Sequence, residues 1–262
     1  MSNMRKAVLA AGLMVSFTAA RGYAMEKLNV MISGGFSQAY HDVLPDFERS
    51  TGISVTTLSG ASQGTGPKTI KFQLENGADV DVVILSKEGL SELIAAKRIV
   101  GGSERELASV PLAAAVRQGS PKPDIGNVEG FKTALLKARL VVMPGSTSGL
   151  FVKDEVFPKL GIANKVSFKV VARGLDSTGL LAAGEADLAI GPVSELINQP
   201  GIELVGPLPE QAQLVQVFTA AIVPASDRTV QAKKLIDFLG SDHTTAAIKK
   251  FGMDPVGDHR TR

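Results

Sequence analysis

The chain has no cysteine, no tryptophan, three histidines and an aromatic content of only 5% across 262 residues. Absence of Cys excludes disulfides, thiolate zinc sites, iron–sulfur clusters, a thiol nucleophile and a lipid-modified cysteine anchor. Three scattered histidines and no Cys give no basis for a transition-metal site, so no metal is expected. With so few aromatic rings, stacking on nucleic-acid bases is poorly served. Two further signatures are missing. No Gly-x-Ser-x-Gly nucleophile elbow occurs, and residues 60–68 lack the Gly-Lys-Ser/Thr ending of a phosphate-binding P-loop.

Long apolar runs are also scarce. The mostly apolar run over residues 7–20 spans 14 positions, short of the roughly 20 that a membrane-spanning helix requires. Arg5 and Lys6 precede it, and Gly22-Tyr23-Ala24 follows it with small residues at both key cleavage positions. Residues 1–24 therefore read as a secretory signal, with a mature chain starting near Met25. Its removal takes Arg5, Lys6 and Arg21 from the 28 basic residues and nothing from the 26 acidic ones, so the formal charge falls from +2 to −1. A chain so close to neutrality has no general electrostatic case for nucleic acid or an anionic membrane. Export without an anchor points to the periplasm, and a monomer is expected there.

What is present is a foldable core: 44% hydrophobic and 21% charged residues, punctuated by 27 Gly and 13 Pro. Short β-branched runs alternate with amphipathic windows, which is the pattern of an α/β fold. Strands are expected near residues 28–32, 53–58, 80–85, 112–116, 139–143, 166–171, 186–190 and 213–223. Helices are expected over 37–50, 68–76, 128–138, from 149 to 160, 178–184, 229–239 and 244–251.

Four strand ends open into Gly/Ser/Thr-rich loops that lead directly into helices, at residues 33–37, 59–68, 145–149 and 176–179. A helix start presents unpaired N–H groups and a partial positive charge, and glycine lets a ligand approach the backbone. One such loop is ordinarily just a capped helix. Four in one chain point to convergence on a small oxyanion or carboxylate, at the carboxyl ends of the strands.

Together the turn before Ser37-Gln38-Ala39-Tyr40, the stretch Val116-Arg117-Gln118-Gly119-Ser120-Pro121, the run Leu180-Leu181-Ala182-Ala183-Gly184-Glu185-Ala186-Asp187-Leu188 and the segment Ala232-Lys233-Lys234-Leu235-Ile236-Asp237-Phe238-Leu239 resemble periplasmic solute-binding proteins of the molybdate-binding type. The resemblance implies a type II two-lobe fold with two crossing strands and a ligand in the interlobe cleft. Lobe one is expected to be residues 25–110 with 224–262, and lobe two residues 111–223. Molybdate-contact positions are only partly kept: a usual serine aligns with Gly35 and a usual tyrosine with Pro192. The second loop is longer and carries Lys68, and a lysine near the ligand favours a carboxylate over a neutral-hydroxyl molybdate site.

These departures bring the chain nearest to the aconitate isomerase branch of the family, which interconverts cis- and trans-aconitate without a cofactor. The competing reading is a passive receptor for an oxyanion or organic carboxylate that serves an ABC transporter permease. For the isomerase, Ser33, Gly34, Gly35, Ser62, Thr65, Ser146, Ser148 and Ser177 are candidate binders of a tricarboxylate, with Arg173 as a bidentate cation. Lys68 or His41 is the candidate acid/base. Each has a plainer reading, Lys68 as a solvated surface residue, Arg173 as a surface ion pair and His41 as a solvent-facing helix residue.

Overall fold

The computed structural model describes residues 26–256; the expected signal segment lies outside them. The first strand, β1 (Lys27–Ile32), buries its last three residues, and the chain turns at Ser33 into α1 (Gly34–Thr51). This helix starts earlier than the expected residue 37. Glycine is a poor helix former, so a Gly-Gly pair reads as a turn, but here close packing requires it: a Cβ on Gly35 would lie 2.0 Å from the Phe218 ring. Gly52, at φ 71°, ends the helix in the left-handed conformation.

There follow β2 (Ser54–Ser59), α2 (Ile70–Glu75), β3 (Val82–Ser86) and α3 (Lys87–Ala95). Next comes the 13-residue β4 (Arg105–Arg117), then α4 (Val128–Lys137) and β5 (Val141–Pro144). The helix after β5 has three parts: α5 (Thr147–Phe151), a π-helical turn at Val152–Val156 and α6 (Phe157–Lys159). Pro158 has no N–H to pair with the preceding turn, and the wide turn lies just ahead of it. The remaining elements are β6 (Phe168–Val171), α7 (Gly174–Ala182), β7 (Leu188–Pro192), α8 (Val193–Leu196), β8 (Ile202–Pro207), β9 (Val215–Ile222), α9 (Thr229–Leu239), α10 (Thr245–Lys250) and β10 (Asp254–Pro255).

All ten strands join one sheet in the order β2-β1-β3-β9-β4-β7-β5-β6, with β8 and β10 pairing with β4. Parallel pairing of β1 with β2 and β3 builds one lobe, and parallel pairing of β5 with β6 and β7 builds the other. β4 serves both. Its residues up to Pro111 pair with β9, and from Leu112 onward it pairs with β7 and β8. Pro111 sits at this change of partner, where a missing N–H is least disruptive. β9 in turn runs antiparallel to β3 and to the first part of β4, so β4 is the strand that both lobes of the α/β fold share.

Hydrophobic burial follows the same division. One cluster around Phe131, Phe157, Val141 and Met143 fills the second lobe, and another around Met31, Ile70, Leu85 and Leu93 backs the first. A third cluster, including Phe36, Tyr40 and Phe47 of α1 together with Leu181, Val193 and Leu196, runs from lobe to lobe. At about 25 cal/mol per Å² of apolar surface removed from water, this shared core is a substantial part of what holds the strand ends of the two lobes face to face. No helix among the described residues is long and apolar enough to cross a membrane.

Candidate functional site

The carboxyl ends of strands from both lobes meet in a cleft that opens to solvent. From the first lobe, the end of β1 contributes Ser33, Gly34 and Gly35, and the end of β2 contributes Gly60, Ala61 and Ser62. From the second, the end of β5 contributes Pro144, Ser146 and Ser148, and the end of β6 contributes Ala172, Arg173 and Gly174. Pro192 ends β7 and Glu195 follows it, while Gln216 and Phe218 come from β9.

The lobes touch around this cleft. Arg173 Nη2 donates to Ser59 Oγ at 2.5 Å, and Gln38 Nε2 donates to the Ser194 carbonyl at 2.6 Å. The Ser86 and Thr147 hydroxyls are hydrogen-bonded at 2.8 Å, and the Gln63 N–H donates to Ser146 Oγ at 3.4 Å. At Gly64 the opposing backbone is so near that a Cβ would come within 2.4 Å of the Gly145 carbonyl oxygen. Glycine is required there on space and on conformation alike, since its φ is 107°.

Seven of the expected binding residues line the cleft: Ser33, Gly34, Gly35, Ser62, Ser146, Ser148 and Arg173. Ser33 precedes α1 in extended conformation but does not cap it with its side chain. Its hydroxyl is buried without a hydrogen-bond partner, as is Gln216 Oε1 on the same cleft. Buried polar groups are nearly always paired in native proteins, so these two atoms mark places where a polar ligand group would be accommodated. Ser62 Oγ is partly committed, because it accepts the N–H of Ser86 at 3.0 Å. Arg173 is exposed and immediately precedes α7.

The other four expected residues lie elsewhere. Thr65 and Lys68 are exposed on the outer part of the loop, and α2 begins at Ile70 with Thr69 as its cap, whose side chain accepts the Phe72 N–H. Lys68 therefore precedes the cap and does not open the helix. His41 is exposed on α1 with its ring edge-on to Tyr40 at 5.2 Å. Ser177 is buried inside α7 with an unpartnered hydroxyl, but it is not on the cleft wall.

Sequence reasoning overlooks Glu195. It lies in α8, on the fifth turn at which a strand of the cleft end leads into a helix, and its carboxyl reaches back between the starts of α1 and α7. A Cβ on Gly34 would be 2.2 Å from Glu195 Oε1, and one on Gly174 would be 2.0 Å from Oε2. Each oxygen thus rests against a glycine at the first position of a helix, one from each lobe. Burial pushes the Glu195 carboxyl up to about 7, while the Arg173 charge pulls it down. The signal that could have found it is positional, as the chain passes from Pro192 through Val193 and Ser194 directly to an acid. A search for groups that bind anions passes over an acid.

The geometry now has its parallels. The chain matches the bacterial extracellular solute-binding protein family over residues 28–254. It belongs to that family. An aconitate isomerase from Pseudomonas sp. is 34% identical to this family member over 232 residues, 87% of this chain and 88% of that one. Among solved structures, the periplasmic molybdate-binding protein of Azotobacter vinelandii superposes with a TM-score of 0.66 at 20% identity, covering 86% of this chain and 98% of that one. The sulfate-binding protein SubI of Mycobacterium tuberculosis superposes with a TM-score of 0.70 at 18% identity, covering 88% and 87%. At these identities the two structures share the fold of this solute-binding protein.

In chemical terms, the cleft offers a guanidinium, several hydroxyls and two helix starts to a small anion, and one half-buried carboxyl beside them. Among the described residues no group of three or more His, Cys, Asp or Glu side chains is placed to hold a metal ion. A small polyanionic ligand fits this set of groups.

Proposed function

We propose that this solute-binding family member is an aconitate isomerase, exported to the periplasm through cleavage of its N-terminal segment and acting there as a monomer without a cofactor. One observation carries the reading: a guanidinium, that of Arg173, stands in a cleft otherwise rich in hydroxyls, amides and glycines, in a chain 34% identical to an aconitate isomerase. Ser33, Gly34, Gly35, Ser62, Ser146, Ser148 and Arg173 are the proposed binders of the three carboxylates.

The chemistry follows from the substrate. Aconitate carries a methylene group next to a carbon–carbon double bond, flanked by carboxylates. Removal of a methylene proton spreads negative charge over three carbons and into the attached carboxylates. Fixed positive charge at those carboxylates lowers the barrier because it is oriented before the charge develops. Arg173 and the N–H groups at the start of α1 supply such charge. Return of the proton at the other end of the three-carbon unit shifts the double bond and exchanges the cis and trans isomers.

The family name and the molybdate- and sulfate-binding structural relatives favour a second reading, a receptor that hands an anion to a membrane transporter. Incubation of purified protein with cis-aconitate in chelator-containing buffer separates the two. The isomerase yields trans-aconitate until equilibrium is reached, whereas a receptor leaves the cis isomer unchanged. Thermal scans add a binding measurement: tricarboxylate at a hundred times its dissociation constant stabilises by about 2.7 kcal/mol, and molybdate is expected to do far less.

A further inference from the structure

We infer that Glu195 is the acid/base of this cleft, the side chain that takes the proton from the substrate carbon and gives it back. The inference rests on the isomerase reading above and adds to it the identity of the proton carrier. Among the described residues that line the cleft, Glu195 and Arg173 are the only ionisable side chains. A guanidinium does not give up its proton in proteins, which leaves Glu195. Lys68 and His41 are exposed and lie off the cleft wall.

Its position suits the task. An ionised carboxyl repels the anion seated beside it, whereas a carboxyl that gains and loses a proton there can pass that proton to and from a bound molecule. The Glu195 oxygens lie against Gly34 and Gly174, so the two glycines leave room for the carboxyl between the lobes and beside the groups that would hold substrate carboxylates. Burial lifts its proton affinity to about 7, and a catalytic group works best when that value is near the working pH. Arg173 is the charge that acts on it among the described residues. A Cβ placed on the uncharged Gly34, Gly174 or Gly191 of α1, α7 and β7 would fall within 4 Å of the Glu195 carboxyl.

The step balances without a co-reactant. Ionised Glu195 accepts the proton of the methylene C–H, and the electron pair of that bond enters the three-carbon system as the π bond shifts. The Glu195 carboxyl then returns the proton to the carbon that was vinylic. One C–H bond has broken, one has formed, and the double bond has moved by one position. Nothing is oxidised or reduced.

The test compares the full mature protein with Glu195→Gln, which keeps the shape and removes the base. Turnover of cis-aconitate at saturation is expected to fall about a hundredfold or more. The melting-temperature rise given by tricarballylate, the saturated tricarboxylate, is expected to survive because the binding groups are intact. The wild type should lose kcat/KM, which reports the free protein, on the acid side with an apparent pKa near the Glu195 value of about 7, since the base must be ionised, and the variant's residual rate should lack that limb. A variant that turns over within about threefold of wild type, while wild type isomerises aconitate, overturns the assignment alone. A wild type that leaves aconitate unchanged overturns the assignment together with the isomerase reading. Should Glu195→Gln fail to fold in a thermal scan, Glu195→Asp and the wild-type pH profile decide: kcat lost with KM kept and an acid limb near neutrality support the role, and unchanged kcat or a flat profile refutes it.

Discussion

The two walls of the cleft are built alike and charged differently. Each presents strand ends turning into helices, yet the first lobe lines its side with neutral groups such as Ser33, Gly34, Gly35 and Ser62, whereas the second carries both Arg173 and Glu195. Hydroxyls and backbone N–H groups hold an anion without exchanging protons with it or changing charge with pH. A guanidinium next to a half-buried carboxyl is a different pairing, one fixed charge beside one group that can gain or lose a proton. On the proposed isomerase reading, both walls bind the anion and the second also supplies the groups for proton transfer.

Three substitutions probe this division. The largest effect is expected from Arg173→Met, which removes the only fixed positive side chain that the described residues bring to the cleft. kcat/KM for aconitate should fall about a hundredfold or more, the scale of losing one preorganised donor to a developing anion. Because Arg173 pulls the Glu195 carboxyl down, its loss should also move the acid limb of kcat/KM to higher pH. Steady-state rates across pH check both, and a loss under about fivefold would put the charge-holding role on the neutral wall. Ser33→Ala on that wall should weaken tricarballylate binding by about tenfold, equivalent to one hydrogen bond to a charged group. Its melting temperature should hold, since the Ser33 side chain makes no capping bond; titration calorimetry with a thermal scan tests the pair of statements. The smallest effect belongs to Lys68→Met. As an exposed residue outside the cleft, it should leave turnover and KM within about twofold, and a hundredfold loss would return the proton carrier to the outer loop.

Elements with an unambiguous pattern are legible in the amino-acid sequence. β3 is a continuous apolar run that is fully buried, and α9 at Thr229–Leu239 has apolar residues at helical spacing and the expected bounds. β8 and α8 escape notice because both are short and sit between Gly and Pro punctuation that reads as loop. Residues 105–111 of β4 are hidden by Pro111, which signals a break where the strand only changes partners. The glycine- and serine-rich loops do converge on one cleft, because helix starts at strand ends must gather on one edge of a parallel sheet. Within the 59–68 loop the outcome divides at Ser62. Gly64 and Gly66, at φ 107° and 95°, turn the chain outward, and composition cannot say which side of such a turn Thr65 and Lys68 occupy. Glu195 is illegible for a different reason. A lone glutamate in a short helix carries no pattern, and its proton affinity is set by burial among residues far away in the chain.

The sharing of β4 between the lobes has a mechanical consequence. A continuous hydrogen-bonded ribbon cannot swivel like a loose linker, so parting the lobes must flex β4 and its neighbour β9 as a leaf spring is flexed. The ladder is already irregular at two places on β4, between Glu106 and Ala108 and between Ala114 and Ala115, and bulges of this kind are where a strand bends most readily. Any relative movement of the lobes has to bend the sheet at these two points, so the stiffness of two short stretches of backbone bears on how far the cleft can open without altering any group that lines it.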